Sequence, residues 1–304
     1  LNDVPAVADT TALRIYFTLR KDQVYDMVAF MKYDKTMYSN VAVNGKSVEN
    51  GGELRITDWH QKGAYTMTLT SNSGTNSTWS MVFTNRPFVL VEQNQADLYE
   101  VWKKDNEQKV PTTIKVIDAN GRTFETSNST ASDGTEINID GPKQISFFTK
   151  AKIRVRGATA AGKDKKPFAV ELQDDNGEER NVHLFGYRSD GDWILDAMFN
   201  DRLRMRNRLL TDVWNSLQDL PYEKDNDYQR NGTDGEYVEI FMEGKYWGLY
   251  CFTDKIDRKK LNLKKTKDEG LPTEQTRGQL WKSLFNCSAT TFSSYSENPK
   301  TGRL

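Results

Sequence analysis

Short runs in which apolar and polar residues alternate, each closed by a turn signal, govern what this chain can become. Alternation sends every second side chain to the same face of a pleated strand. Leu13-Arg14-Ile15-Tyr16-Phe17 is one such run, and Val41-Ala42-Val43 leads straight into Asn44-Gly45. That pair is a strong hairpin signal, because both residues tolerate the positive φ that a two-residue β-turn demands. Tyr65 to Thr70 and Trp79 to Thr84 repeat the pattern on either side of the polar loop Ser71 to Ser77. Residues 1–86 therefore read as a small antiparallel β-sandwich, and no catalytic constellation falls within it.

Around Asn85-Arg86-Pro87 the register changes, since proline restricts the residue before it and punctuates elements. A domain boundary is placed there, with residues 87–304 as the second domain. Its strands include Thr112 to Ile117 and the strictly alternating Lys152-Ile153-Arg154-Val155-Arg156, separated by a polar stretch, Ser127 to Gly134, that reads as a loop. Asn200 and Asp201 suit a helix cap. Beyond them Leu203, Leu210, Val213, Trp214 and Leu217 recur at spacings that draw one apolar face, predicting a helix packed on the sheet. Trp193, Leu210, Trp214 and Tyr250 are expected to share its core. Finally, Tyr237 to Met242 and Tyr246 to Phe252 flank Glu243-Gly244-Lys245 as a tight hairpin. The fold class is α+β.

The 304 residues suffice for about two domains. Lysine and arginine (42) almost balance aspartate and glutamate (43), so no net field draws the chain to nucleic acid. No apolar run reaches the ~20 residues that span a bilayer, so no transmembrane segment is expected. Two cysteines, Cys251 and Cys287, cannot build a four-cysteine zinc site, and two histidines, His60 and His183, offer little for a triad or a metal cluster. The opening Leu1-Asn2 lacks a methionine and reads as a leader already removed.

Three blocks in fixed order carry a resemblance. The first is Ile153-Arg154-Val155-Arg156-Gly157, a loop from Ala158 to Asp164, and Lys165-Lys166-Pro167-Phe168-Ala169-Val170. Asp192-Trp193-Ile194-Leu195-Asp196 followed by Met205-Arg206-Asn207-Arg208 is the second, and Val238-Glu239-Ile240-Phe241 with Gly244-Lys245-Tyr246-Trp247-Gly248-Leu249-Tyr250 the third. Over roughly Phe88 to Asp257 the chain resembles the spore coat protein H (CotH) kinase family, an atypical protein-kinase-like fold. The resemblance implies ATP and magnesium as cofactors of the complete fold and serine or threonine of a surface or coat protein as substrate. It also implies a secreted or cell-surface setting, with which the Asn-x-Ser/Thr triplets at Asn76, Asn128 and Asn231 agree.

Carried over by residue, Gly157 to Asp164 would be the phosphate loop, Lys166 the phosphate-facing lysine and Arg156 its support. Lys166 is preferred to Lys165 because strand alternation sets it on the face of Phe168 and Val170; the competing reading is an edge lysine that snorkels. Glu239 and Asp212 are the candidate acidic partners. Two departures bear on activity. Asp254 stands where the family usually has glutamate, and the family's later aspartate motifs, which hold magnesium, have no counterpart in Glu269 to Leu304. The domain thus reads as incomplete at its carboxyl end, with catalytic residues unassigned and no metal ligands. An aromatic-rich surface protein that binds carbohydrate, adheres or serves as structure is the alternative on the same scaffold.

Overall fold

The computed structural model describes residues 4–20, 26–57, 59, 65–93, 108–120, 146–217 and 232–261. The chain divides into two compact units, residues 1–255 and 256–304. In the second, only residues 256–261 are described, with the Lys260 amide donating to the Asp257 carboxylate at 2.9 Å. Asn128, Asn231, His60, Cys287, the Ser127 to Gly134 loop and the stretch from Glu269 onward lie outside the described residues.

Eight strands come first: β1 Ala6–Asp9, β2 Arg14–Thr18, β3 Asp26–Met31, β4 Tyr38–Val43, β5 Lys46–Ser47, β6 Gly52–Thr57, β7 Tyr65–Ser71 and β8 Asn76–Thr84. Six of them form a sheet in the order β1-β2-β8-β7-β4-β5, and β3 pairs with β6 as a separate hairpin. Asn44 and Gly45 take φ of 47° and 76°, as the β4–β5 turn requires. Alternation places Met81 and Phe83 of β8 inward, where Phe83 stacks on Phe17 at 5.0 Å between centroids. Sheet and hairpin share one apolar core, in which Met27, Met31 and Ile56 of the hairpin meet Val41, Met67 and Met81 of the sheet. The expectation of a purely antiparallel domain needs correction: β2 and β8 run parallel, with Arg14 opposite Ser80 and Thr18 opposite Thr84. The chain between them is long enough to return in the same direction, a pairing that local turn chemistry does not announce.

The second set is β9 Phe88–Glu92, β10 Val110–Ile117, β11 Ser146–Val155, β12 Phe168–Gln173, β13 Val182–His183, β14 Ser189–Asp190, β15 Asp192–Asp196, β16 Gly235–Met242 and β17 Lys245–Asp254. Seven of these close into a barrel in the order β10-β11-β12-β15-β17-β16-β9, while β13 and β14 form a small side hairpin. The sheet expected from the sequence is thus closed on itself as a barrel. Closure is made by β9, antiparallel to β10 and parallel to β16. Ile114, Ile153, Phe168, Trp193, Ile240 and Phe252 are among the inward residues that fill it. His183 Nδ1 lies 2.7 Å from the Tyr187 carbonyl oxygen and serves the side hairpin.

A third apolar cluster ties the two sets together. Tyr16 of β2 packs with Phe88, Ile117 and Phe241, and its ring stacks on Tyr246 at 4.5 Å. Nearby, the Tyr246 amide donates to Asp9 Oδ2 at 3.0 Å, and the Thr18 hydroxyl donates to the Arg86 carbonyl at 2.7 Å.

The helix, α1 Arg206–Leu217, departs most from expectation. Trp193 and Tyr250 are buried in the barrel, but Leu210 is 67% exposed and Trp214 49%, and Leu203, Val213 and Leu217 are exposed too. The buried helical residue is Arg208, 6% exposed. Its guanidinium donates to Asp212 Oδ1 at 2.8 Å and to the Thr233 carbonyl at 2.6 Å. Asn215 adds two more bonds, donating to Thr233 O at 3.2 Å and accepting the Gly232 amide at 2.6 Å. Gly232 makes the approach feasible, since a Cβ there would fall 2.7 Å from Thr211 Cγ2. The helix therefore docks by its polar face. At its start Asp201 accepts the Leu203, Met205 and Arg206 amides, as the cap reading anticipates.

This docking separates two substitutions. Arg208→Ala should lower unfolding free energy by about 2 kcal/mol, since it leaves Thr233 and Asp212 without their charged donor, whereas Leu210→Gln should stay within about 0.5 kcal/mol. Urea unfolding of both variants checks this, and a larger loss for Leu210→Gln would contradict polar docking.

Candidate functional site

The first block of the resemblance folds as a loop between β11 and β12. Arg156 is half-buried, and its amide donates to the Pro167 carbonyl at 3.0 Å, pinching the loop closed at its base. Gly157 follows at φ +89°, a conformation that a side chain rarely adopts, and turns the chain outward. A short 3-10 turn, Thr159–Gly162, crosses the loop. Lys166 supports it from below, donating to the Ala161 carbonyl at 2.8 Å and the Lys163 carbonyl at 3.5 Å.

Lys165 turns the other way. Its ammonium donates to the carbonyls of Leu249 and Ala197, and sits over the Tyr250 ring at 4.2 Å from the centroid. Alternation does not decide between the two lysines, because β12 begins only at Phe168 and Pro167 keeps the preceding residues out of the ladder. Tyr250 fixes the arrangement from inside the barrel by donating its hydroxyl to the Lys166 carbonyl at 3.0 Å. Gly248 is called for by the backbone rather than by space. It lies at φ +121° beside a bulge where the β16–β17 register shifts between Ile240 and Phe241, and a Cβ there would stand 3.5 Å from Lys165 Cε.

Around this ammonium the charges are mixed. Burial lowers the Lys165 pKa to about 8, reinforced by the Arg204 guanidinium and opposed by Glu239 and Asp196. Arg204 shares an acceptor with it, donating to Ala197 O at 3.2 Å. Glu239 is held above the ordinary carboxylate range, mainly by burial, against the Tyr246 hydroxyl bond and the Arg86 and Lys165 charges. The Tyr246 hydroxyl donates to Glu239 Oε2 at 2.7 Å, and burial and then Glu239 drive its own pKa upward.

Of the acidic candidates, Glu239 thus feels Lys165, while Asp212 is bound to Arg208. Arg156, Gly157 and Lys166 gather at the loop, whereas Glu239 stands on β16, separated from β12 by β15 and β17 in the barrel order. Asp254 is buried in a network: Arg188 Nε donates to its Oδ2 at 2.9 Å, Arg188 Nη2 pairs with Asp190 Oδ2 at 2.5 Å, and the Asp234 amide donates to Asp254 Oδ1 at 3.0 Å. Aspartate has reach enough for this role.

Beside Arg204 a cleft runs under the start of α1, lined by Asp196, Arg204, Arg208, Thr233, Cys251 and Thr253. The Cys251 thiol there is pushed up to about 12 by burial, which makes it a packing group rather than a nucleophile. Reading the sequence alone ranked Lys165 behind Lys166 and did not single out Arg204. Pro167 and the glycine inside Tyr246-Trp247-Gly248-Leu249-Tyr250 were the available signals for Lys165; for Arg204, at φ +54° before the helix, no local signal exists.

Residues 153–301 match the family model described as CotH kinase protein. No curated protein matches the chain.

Lys165 gives a pH-dependent signature. Its folded pKa, about 8, lies below the ordinary 10.5, so between these values the unfolded chain binds more protons and folding gains as pH rises. Wild type should therefore gain stability relative to Lys165→Met across that window. Thermal unfolding of both proteins at matched pH values tests it, and a constant difference would contradict a desolvated Lys165.

Proposed function

We propose that the chain, which over residues 153–301 belongs to the CotH kinase protein family, is the nucleotide-binding part of a CotH-like atypical kinase-related protein acting on surface or coat proteins. One observation carries the reading: a desolvated lysine within electrostatic reach of Glu239, at the base of a glycine-opened loop between two strands. Protein kinases cover the phosphates of ATP with a glycine-rich loop and place a strand lysine against them, paired to a glutamate. In this chain the loop amides from Gly157 to Asp164 and the Arg156 side chain would meet the phosphates, Lys166 would hold the loop in place through its carbonyls, and Lys165, with Glu239 as its acidic partner, would be the lysine that faces the phosphates. Phosphate binding would take over the bonds that the Lys165 ammonium now makes to Leu249 and Ala197.

Magnesium accompanies ATP in such enzymes and bridges its phosphates. The carboxylates around Lys165 do not suit it. Glu239 is occupied by Tyr246 and held above its ordinary pKa, and Asp196 Oδ1 accepts the Met198 amide at 2.9 Å. Among the described residues beside Lys165 that leaves no carboxylate pair for a divalent ion.

Residues 1–86 would act as a sandwich-like β domain that supports the barrel, in keeping with the core shared by its sheet and hairpin. A secreted or cell-surface setting agrees with the exposed Asn76 of an Asn-Ser-Thr triplet. No described helix is long and apolar enough to cross a membrane. A second reading, a non-catalytic carbohydrate-binding, adhesive or structural protein, is favoured by the exposed apolar row of α1.

Calorimetric titration with ATP separates the readings. Lys165→Ala and Glu239→Gln should each weaken binding about tenfold, equivalent to about 1.4 kcal/mol, and Lys166→Ala about threefold through loss of its loop support. A larger effect of Lys166→Ala would reverse the assignment of the two lysines. Absence of ATP binding by the wild-type chain would favour the second reading.

A further inference from the structure

The core shared by the six-stranded sheet and the β3–β6 hairpin is not filled throughout. At one edge it leaves a half-open pocket of about 250 Å³. Phe17, Val41, Met67 and Leu69 wall it on the sheet side, and Met31 closes it from the hairpin. Lys32 and Tyr33, which follow β3, stand at its mouth, and Lys32 is exposed.

Three properties make this a built site rather than loose packing. Its volume, about 250 Å³, approaches that of small-molecule pockets. The walls are almost wholly apolar, and two of them are methionines, which adapt to a flexible guest. The rim is also fixed: the Tyr33 amide donates to Asn50 Oδ1 at 3.2 Å and Asn50 Nδ2 donates back to the Tyr33 carbonyl at 2.8 Å. A pre-formed apolar pocket with one charged group at its mouth selects a guest with an apolar body and a complementary charge at one end.

We propose that the amino-terminal β domain binds a medium-length aliphatic chain ending in a carboxylate, with the chain between sheet and hairpin and the carboxylate at Lys32. Lys32 contributes by charge at an exposed position, and the apolar area that the chain buries in the pocket supplies most of the affinity. The site is independent of the nucleotide reading, since none of its residues belongs to the barrel.

Isothermal titration of the whole chain with decanoate, decanol and anionic phospholipid vesicles tests the proposal. Decanoate should bind saturably at one site, and Lys32→Glu should weaken it about tenfold while leaving decanol within about twofold. Leu69→Trp, which fills the pocket, should abolish both, with an unchanged far-ultraviolet circular dichroism spectrum showing that the domain still folds. If Leu69→Trp does not fold, the surface substitution Lys32→Glu decides alone. Failure of decanoate to saturate, indifference to Lys32→Glu, retention of binding by folded Leu69→Trp, or binding to vesicles only would each overturn the proposal.

Discussion

Closure of the second sheet is the constraint on which the rest depends. A seven-stranded sheet left open would expose two edges, and β9 removes both by pairing antiparallel with β10 and parallel with β16. Closure makes an interior in which Phe168, Trp193, Tyr250 and Phe252 pack without contact with water. It also sets β16, β17 and the β11–β12 loop against one another. Tyr250 can then hold the Lys166 carbonyl from within while Lys165 spans its ring to reach the Leu249 carbonyl. Glu239 reaches the same region because it stands opposite Leu249 in the β16–β17 ladder.

Around that apolar interior, Arg188, Asp190 and Asp254 are buried together as one charged set. Arg188 joins Asp190 and Asp254 and also donates to the Lys255 carbonyl, while Asp190 accepts the amides of Gly191 and Asp192. Burying such charges is costly, and geometry this complete offsets most of the cost. The same logic explains α1. Its docking surface is the segment from Gly232 to Gly235 that leads into β16, which offers backbone donors and acceptors, and Arg208 and Asn215 fit them where leucines would leave them unpaired.

Local chemistry was legible in the sequence, and long-range pairing was not. Asn44-Gly45 and Glu243-Gly244 marked their hairpins because a positive φ has few acceptable residues. Asp201 was readable as a cap for the same kind of reason. The parallel pairs β2–β8 and β9–β16 join strands far apart in sequence, and no residue type signals such a partner. Periodicity drew the apolar face of α1 correctly but could not say whether that face meets the sheet; Arg208 shows that it does not. At the candidate site, the loop and Gly157 were expected from the resemblance, and Glu239 was one of two acidic candidates, with Asp212. The choice of lysine rested on strand alternation, which fails ahead of Pro167 because the chain there is not yet in the ladder.

The central claim, that Lys165 rather than a neighbour faces a bound nucleotide, is open to direct chemical mapping. An adenosine analogue with a sulfonyl fluoride in place of its phosphates reacts with an amine held beside that position, and a lysine with a pKa near 8 is reactive at mildly alkaline pH. Peptide mass spectrometry after labelling should locate the adduct on Lys165, with ATP protecting it. An adduct on Lys166, or labelling of Lys165 that ATP does not diminish, would contradict the account.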